Sequence, residues 1–182
     1  MRNYDSLAIS VPDILLPRPG TDLSRWAVIA CDQYTSEPHY WRTVEDFVGD
    51  VPSTLHLIYP EVYLGEPEGV ARIESIRGQM TRYLESGVFT ALEGFVYVER
   101  STGPGIRKGL AVCLDLEHYD FQKGSLSLIR ATEGTILSRI PPRVRIREGA
   151  SLEVPHIMVL VDDPENTVIG PVTASKAALE KL

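Results

Sequence analysis

Two stretches of the chain repeat apolar residues at helical spacing. Tyr40, Trp41, Val44, Phe47 and Val48 mark the first amphipathic face. Ser36 offers an N-cap, Glu37 and Pro38 suit a first turn, and Gly49 a stop. The second predicts a helix over 66–86, with Val70, Ile73, Ile76, Met80, Tyr83 and Leu84 on one face and Gly87 at its end. Residues 26–31 and 156–161 are unbroken apolar runs with polar boundaries, the pattern of strands buried on both faces. Residues 55–59 predict another short strand, stopped by Pro60. Residues 94–100 and 108–116, joined by the glycine-bearing loop 101–105, predict an antiparallel hairpin. Residues 129–140 predict a short helix ended by Pro141 and Pro142, and 143–147 alternate strictly as a half-exposed strand. Residues 1–23 read as an extended arm with a short strand at best, and 174–182 as the first turns of a helix. The expected class is mixed α/β or α+β: a mixed sheet with a central antiparallel hairpin and helices packed on it.

A length of 182 residues fits a single domain, and 43% apolar with 24% charged residues is ordinary for a globular chain. The net charge of −7 argues against a nucleic-acid partner. No apolar run approaches the ~18 residues of a membrane span, and the N-terminus has no apolar leader. A cytoplasmic address without membrane association is expected. Cys31 and Cys113 are too few for a zinc site or disulfide framework and are read as buried thiols in apolar runs. The four histidines have no ligand-like mutual spacing, so no metal ligand is assigned.

Two segments hold candidate chemistry. Asp32, Gln33 and Thr35 follow the expected strand 26–31 and precede a helix start, where open α/β sheets place ligands. Asp32 suits a general base or a magnesium ligand there, with Gln33 and Thr35 as hydrogen-bond donors. The competing reading is that Asp32 and Thr35 only cap the helix. In the second segment, Arg130, Thr132, Glu133 and Thr135 cluster around Gly134. Arg130 suits a two-pronged grip on a phosphate or carboxylate, against the alternative of an Arg130–Glu133 ion pair. Arg139, Arg143, Arg145 and Arg147 are the one basic concentration, either an anion-binding stripe or a charge-protected edge strand. Asp32 and Arg130 are expected to face one shared pocket.

The strings Ala30-Cys31-Asp32-Gln33-Tyr34-Thr35-Ser36, Pro52-Ser53-Thr54-Leu55-His56-Leu57 and Ser127-Leu128-Ile129-Arg130-Ala131-Thr132-Glu133-Gly134-Thr135 stand beside two more. These are Arg139-Ile140-Pro141-Pro142-Arg143 and Pro155-His156-Ile157-Met158-Val159-Leu160. Together they resemble the bacterial family catalogued as domain of unknown function 1015, over essentially the whole chain. Members of that family are usually longer and continue into a Gly-Asp-Gly-Asn-His or Asp-Gly-His-His-Arg type motif that this sequence lacks. An N-terminal portion of a longer protein is therefore expected, with exposed apolar surface and self-association into a homo-oligomer. The family is distantly similar to the ParB/sulfiredoxin group, some of whose members use ATP to phosphorylate a small hydroxyl compound such as free serine. The resemblance implies part of an ATP-dependent kinase, with ATP and Mg²⁺ bound by the full-length protein. Asp32 and Glu133 are then the catalytic candidates, and Gln33, Thr35, Arg130, Thr132 and Arg143 hold substrate or phosphate. The alternative is a non-catalytic module whose arginines bind a small anion, a nucleotide or a partner chain.

Overall fold

The computed structural model describes residues 3–67 and 69–182. Met1, Arg2 and Glu68, which fall in the expected arm and the first turn of the expected 66–86 helix, lie outside the described residues. In chain order the elements are β1 (Asn3–Tyr4), β2 (Ile9–Ser10), β3 (Asp13–Pro17), α1 (Leu23–Trp26), α2 (Pro38–Val48) and α3 (Gly69–Glu85). They continue with β4 (Phe89–Glu93), β5 (Val96–Thr102), β6 (Gly105–Ala111), β7 (Cys113–Leu114), β8 (Tyr119–Asp120) and β9 (Ile129–Arg130). The last two are α4 (Ile140–Arg147) and α5 (Ile169–Ser175). The mixed α+β class is the one the sequence predicts. The strands are spread over small ladders, β1–β2–β7, β3–β4, β5–β6 and β8–β9. The contacts divide the chain into two units. The first comprises Ala91–Glu133, Met158–Leu182 and the residues before Leu15; the second comprises Leu15–Thr90 and Gly134–Ile157.

The second unit is organised by α3. Its buried stripe Ile73, Ile76, Met80 and Tyr83 packs with Trp26, Leu57 and Tyr59. Burying such side chains contributes about 1.5–3 kcal/mol each. Val70 and Leu84, expected on this face, are 60% and 42% exposed at its two ends. A second cluster joins Trp41 and Val48 of α2 to Leu55 and Ile58. α2 starts and stops near its predicted bounds, with Pro38 in the first turn and Gly49 at φ 58° ending it. Its N-cap is Glu37, however, and no side chain bonds there.

Two expected strands of this unit are absent because side chains take their backbone groups. Asp22 caps α1 by accepting from the Ser24 N–H at 3.0 Å, which winds Trp26 into a helical turn. The Trp26 carbonyl then accepts from the hydroxyls of Ser53 at 3.2 Å and Thr54 at 2.8 Å. Residues 27–31 consequently carry no ladder. Over the expected strand 55–59, Ser53 caps a 3-10 turn, Thr54–Leu57, through the Leu55 N–H at 3.2 Å. Tyr83 closes the arrangement: its hydroxyl accepts from the Ser53 N–H at 2.9 Å and lies 2.8 Å from Nδ1 of His56. Nε2 of His56 lies 3.1 Å from the Gly49 carbonyl, which only accepts, so Nε2 donates and Nδ1 accepts from Tyr83.

The basic segment is helical, not the expected strand. Pro141 and Pro142 occupy the first turn of α4 and start it, whereas the sequence reading has them ending a helix over 129–140. Helical spacing aligns Arg139, Arg143 and Arg147 and turns Arg145 away from them. Ile146 packs against the Trp26 cluster, which holds this helix to the unit.

The first unit is built of ladders. β2 pairs antiparallel with β1 and β7, and β5 with β6 from Val96↔Ala111 to Thr102↔Gly105. That is the predicted hairpin, shifted by a few residues. β8 and β9 pair in parallel, Asp120 opposite Arg130. Ahead of α5, Asp163 accepts from the backbone N–H groups of Thr167 at 2.8 Å and Val168 at 2.9 Å. Lys176 holds Glu99 of β5 at 3.0 Å, and Tyr97 meets Thr173 at 2.9 Å. The helix stands at 169–175, ahead of the 174–182 predicted, and the turn before it is held by Asp163. Residues 156–161, expected as a buried strand, have no regular structure, and Ile157 to Val161 are 48–72% exposed. The apolar run is present without a strand beside it. Among the described residues no helix is long and apolar enough to cross a membrane.

Candidate functional site

The loop 31–37 carries three of the expected site residues, and it is tightly specified. It follows a segment without regular structure, not the strand the sequence predicts, so the strand-end argument for this position does not apply. Tyr34 sits at φ 50°, a left-handed conformation that costs a bulky side chain about 1–2 kcal/mol. Its ring stacks on Tyr40 with centroids 4.2 Å apart and planes at 14°, and Tyr40 meets Trp41 edge-on at 5.7 Å. The Trp41 indole N–H donates to the Gln33 carbonyl at 3.1 Å. Gln33 in turn reaches the Asp32 carboxylate at 3.4 Å. Asp32, Gln33 and Thr35 are all exposed, and neither Asp32 nor Thr35 caps α2.

Behind this loop lies an ion cluster centred on Glu61, whose side chain is only 5% exposed. The Glu61 backbone N–H donates to the Cys31 carbonyl at 2.8 Å, tying the acid to the start of the loop. Arg143 donates to Oε1 from Nε at 3.0 Å and from Nη2 at 2.5 Å. Arg139 pairs with Oε2 at 3.3 Å, without hydrogen-bond geometry. Both arginine side chains remain 40–48% exposed. The Glu61 hydrogen bond, with the charges of Glu61, Cys31 and Asp32 adding to it, raises the Arg143 pKa above its ordinary value. Burial, then the charges of Asp32 and Glu61, push the Cys31 thiol up, partly offset by Arg143. Asp32, Cys31, Glu61 and Arg143 thus share one electrostatic neighbourhood.

Arg143 keeps three of its five N–H donors after Glu61 has taken two. The arrangement is a guanidinium fixed by a buried carboxylate, with a second guanidinium one helical turn away and an exposed carboxylate nearby. Such a group can hold an oxyanion while Asp32 accepts a proton from a neighbouring hydroxyl. Arg145 and Arg147 stand outside it. The Arg145 carbonyl accepts from Arg77, and Arg147 pairs with Glu153. A single basic stripe of Arg143, Arg145 and Arg147 is therefore not formed.

Arg130, Thr132 and Glu133 belong to the first unit. Arg130 lies on β9, 4.0 Å from Asp162, in an exposed pair of small energetic weight. Glu133 does not form the alternative ion pair with it. Thr132 and Glu133 are exposed in a segment without regular structure. Cys31 is half-buried and Cys113 is exposed on β7, so the expectation of two buried thiols does not hold. β7 is a two-residue strand at the rim of its ladder and leaves its side chain to solvent. The sequence reading missed Glu61. Its mark is an acid inside the otherwise apolar stretch 57–64.

Fold and cluster define a mixed α+β protein with a carboxylate-anchored arginine pair beside an aromatic-braced loop. The chain belongs to the family described as "Protein of unknown function (DUF1015)", which matches residues 15–181. No curated protein and no solved structure matches the chain.

Proposed function

We propose that the second unit supplies the acceptor side of an ATP-dependent phosphotransferase acting on a small hydroxyl compound with an anionic group, free serine being one such compound. The observation that carries this reading is the Glu61–Arg143 clamp in the same neighbourhood as Asp32. Arg143 and Arg139 hold the anionic group of the acceptor, and Asp32 takes the hydroxyl proton as the oxygen bonds the γ-phosphorus of ATP and the bond to the β-phosphate breaks to release ADP. In this reading ATP is the phosphoryl donor, and Mg²⁺ accompanies it to neutralise the phosphate charge. Arg130, Thr132 and Glu133 are outside the residues on which it rests. The distant ParB/sulfiredoxin resemblance supports the same reaction class. A second reading, a non-catalytic anion-binding module, draws on Glu61 occupying two of the Arg143 donors.

The test is phosphoryl transfer from Mg²⁺-ATP to a panel of small hydroxy acids and matched neutral alcohols, followed by phosphorus NMR. Transfer confined to the acids, reduced about 10²–10⁴-fold by Asp32→Asn, is the expected result. Saturable, Arg143-dependent anion binding without transfer selects the binding module. Neither binding nor transfer removes both readings.

A further inference from the structure

Residues 156–161, His-Ile-Met-Val-Leu-Val, have the composition of a strand and no strand partner. Ile157, Met158, Leu160 and Val161 are each more than half exposed. Among the described residues, no backbone–backbone hydrogen bond involves residues 151–162. Unpaired backbone beside β-branched side chains is a template for another strand. Pro155 precedes the run, and after it Asp163 is committed to the turn ahead of α5, so the length available for pairing is fixed.

The sequence of this run complements itself in one register. Antiparallel pairing about Val159 sets His156 opposite Asp162, Ile157 opposite Val161 and Met158 opposite Leu160. Val159 then faces its own copy. Both ends bring an imidazole to a carboxylate, and Asp162, 86% exposed and 4.0 Å from Arg130, has acceptor capacity to spare. A shift of one residue sets His156 opposite Val161, or Asp162 opposite Ile157. Parallel pairing stacks Asp162 beside Asp162, like charge on like charge. Period-two alternation places Ile157, Val159 and Val161 of both copies on one face.

We infer that residues 156–162 form the seam of a homodimer, an antiparallel two-stranded ladder between two copies of this chain, centred on Val159. The occupant is a second copy because self-pairing in this register satisfies both polar ends at once. This surface is independent of the Glu61 cluster and of the phosphotransferase reading.

The test is single-cysteine cross-linking in a Cys113→Ser background, with the parent as a blank for Cys31. In the proposed register the two Val159 Cβ atoms lie about 4.5–5.5 Å apart, near disulfide reach, whereas Leu160 meets its own copy only diagonally at about 7–8 Å. Val159→Cys should form a covalent dimer at least tenfold faster than Leu160→Cys. Val159→Lys should sediment as a monomer at concentrations where the unaltered chain dimerises. Equal cross-linking at both positions, or a dimer that survives Val159→Lys, overturns the proposal. Amide exchange of the unaltered chain reads the seam without substitution. Protection of 156–161 should rise with concentration, and exchange independent of concentration overturns the proposal as well.

Discussion

Removal of the Arg143 guanidinium tests whether Glu61 depends on it. In Arg143→Met the aliphatic stem is kept and the charge is lost, leaving a carboxylate 5% exposed with Arg139 alone at 3.3 Å. Breaking a buried pair costs about 3–5 kcal/mol. Here Arg143 is 48% exposed and Arg139 remains, so roughly half of that, about 2 kcal/mol, is expected. With a urea slope of about 1.5 kcal/mol/M, the midpoint falls by about 1.3 M. Trp26 and Trp41, both buried in the same unit, report the transition by fluorescence. Glu61→Gln removes the buried charge and leaves two half-exposed cations in water, at about 1–2 kcal/mol. The double variant should be more stable than the sum of the two losses predicts, by roughly 1–2 kcal/mol, because no buried charge is then left unpaired. Additivity of the single losses to within about 0.3 kcal/mol would refute a coupled Glu61–Arg143 unit.

Three further outcomes are expected. Ser53→Ala deletes hydrogen bonds to the Trp26 carbonyl and the Leu55 N–H at a fully buried position, and should lower stability by about 1–3 kcal/mol in the same urea assay. The N–H groups of Val168 and Thr167 hold the Asp163 carboxyl below its ordinary value, so the stabilisation is present above the unfolded value and lost as pH falls through the folded one. Exchange of the Thr167 and Val168 amides, corrected for its intrinsic pH dependence, should accelerate on acidification below about pH 4; corrected rates flat from pH 6 to pH 2 contradict these bonds. Burial holds the Cys31 thiol protonated, so iodoacetamide at pH 8 should label exposed Cys113 first, and equal labelling rates would remove Cys31 from its half-buried position.

The helices α2 and α3 were legible because their apolar residues recur at 3.6-residue spacing and their ends carry proline and glycine. The hairpin was legible from two apolar runs around Gly103-Pro104. The runs 26–31, 55–59 and 156–161 were not, since a short apolar run has no period to separate strand from turn. At 26–31 and 55–59 the decision fell to Asp22, Ser53, Thr54 and Tyr83, whose side chains took the backbone groups a ladder needs. The alternation at 143–147 also misled. Val144 is exposed in α4 and only Ile146 packs inward, so the pattern that suggests a strand face is incidental to a helix fixed at its start by two prolines.

The site divides in the same way. Asp32 and Arg143 could each be picked out as isolated charges in a suggestive setting; Arg143 bonds Glu61, and the charge of Asp32 acts on Arg143 and Cys31. Glu61 could not be picked out by that logic, because the residues beside it, Pro60 and Val62, carry neither charge nor hydroxyl. Its apolar surroundings are the informative feature. A buried carboxylate in a stretch as apolar as Leu57, Ile58, Tyr59 and Val62 must find cations or lose its charge, and its cations come from α4 and its N-cap, some eighty positions away. The demand of one buried acid therefore accounts for the position of the arginines. It also gives α4 a reason to be a helix: side chains four residues apart on a helix reach the two oxygens of one carboxylate, whereas four residues along a strand would carry them roughly 13 Å apart.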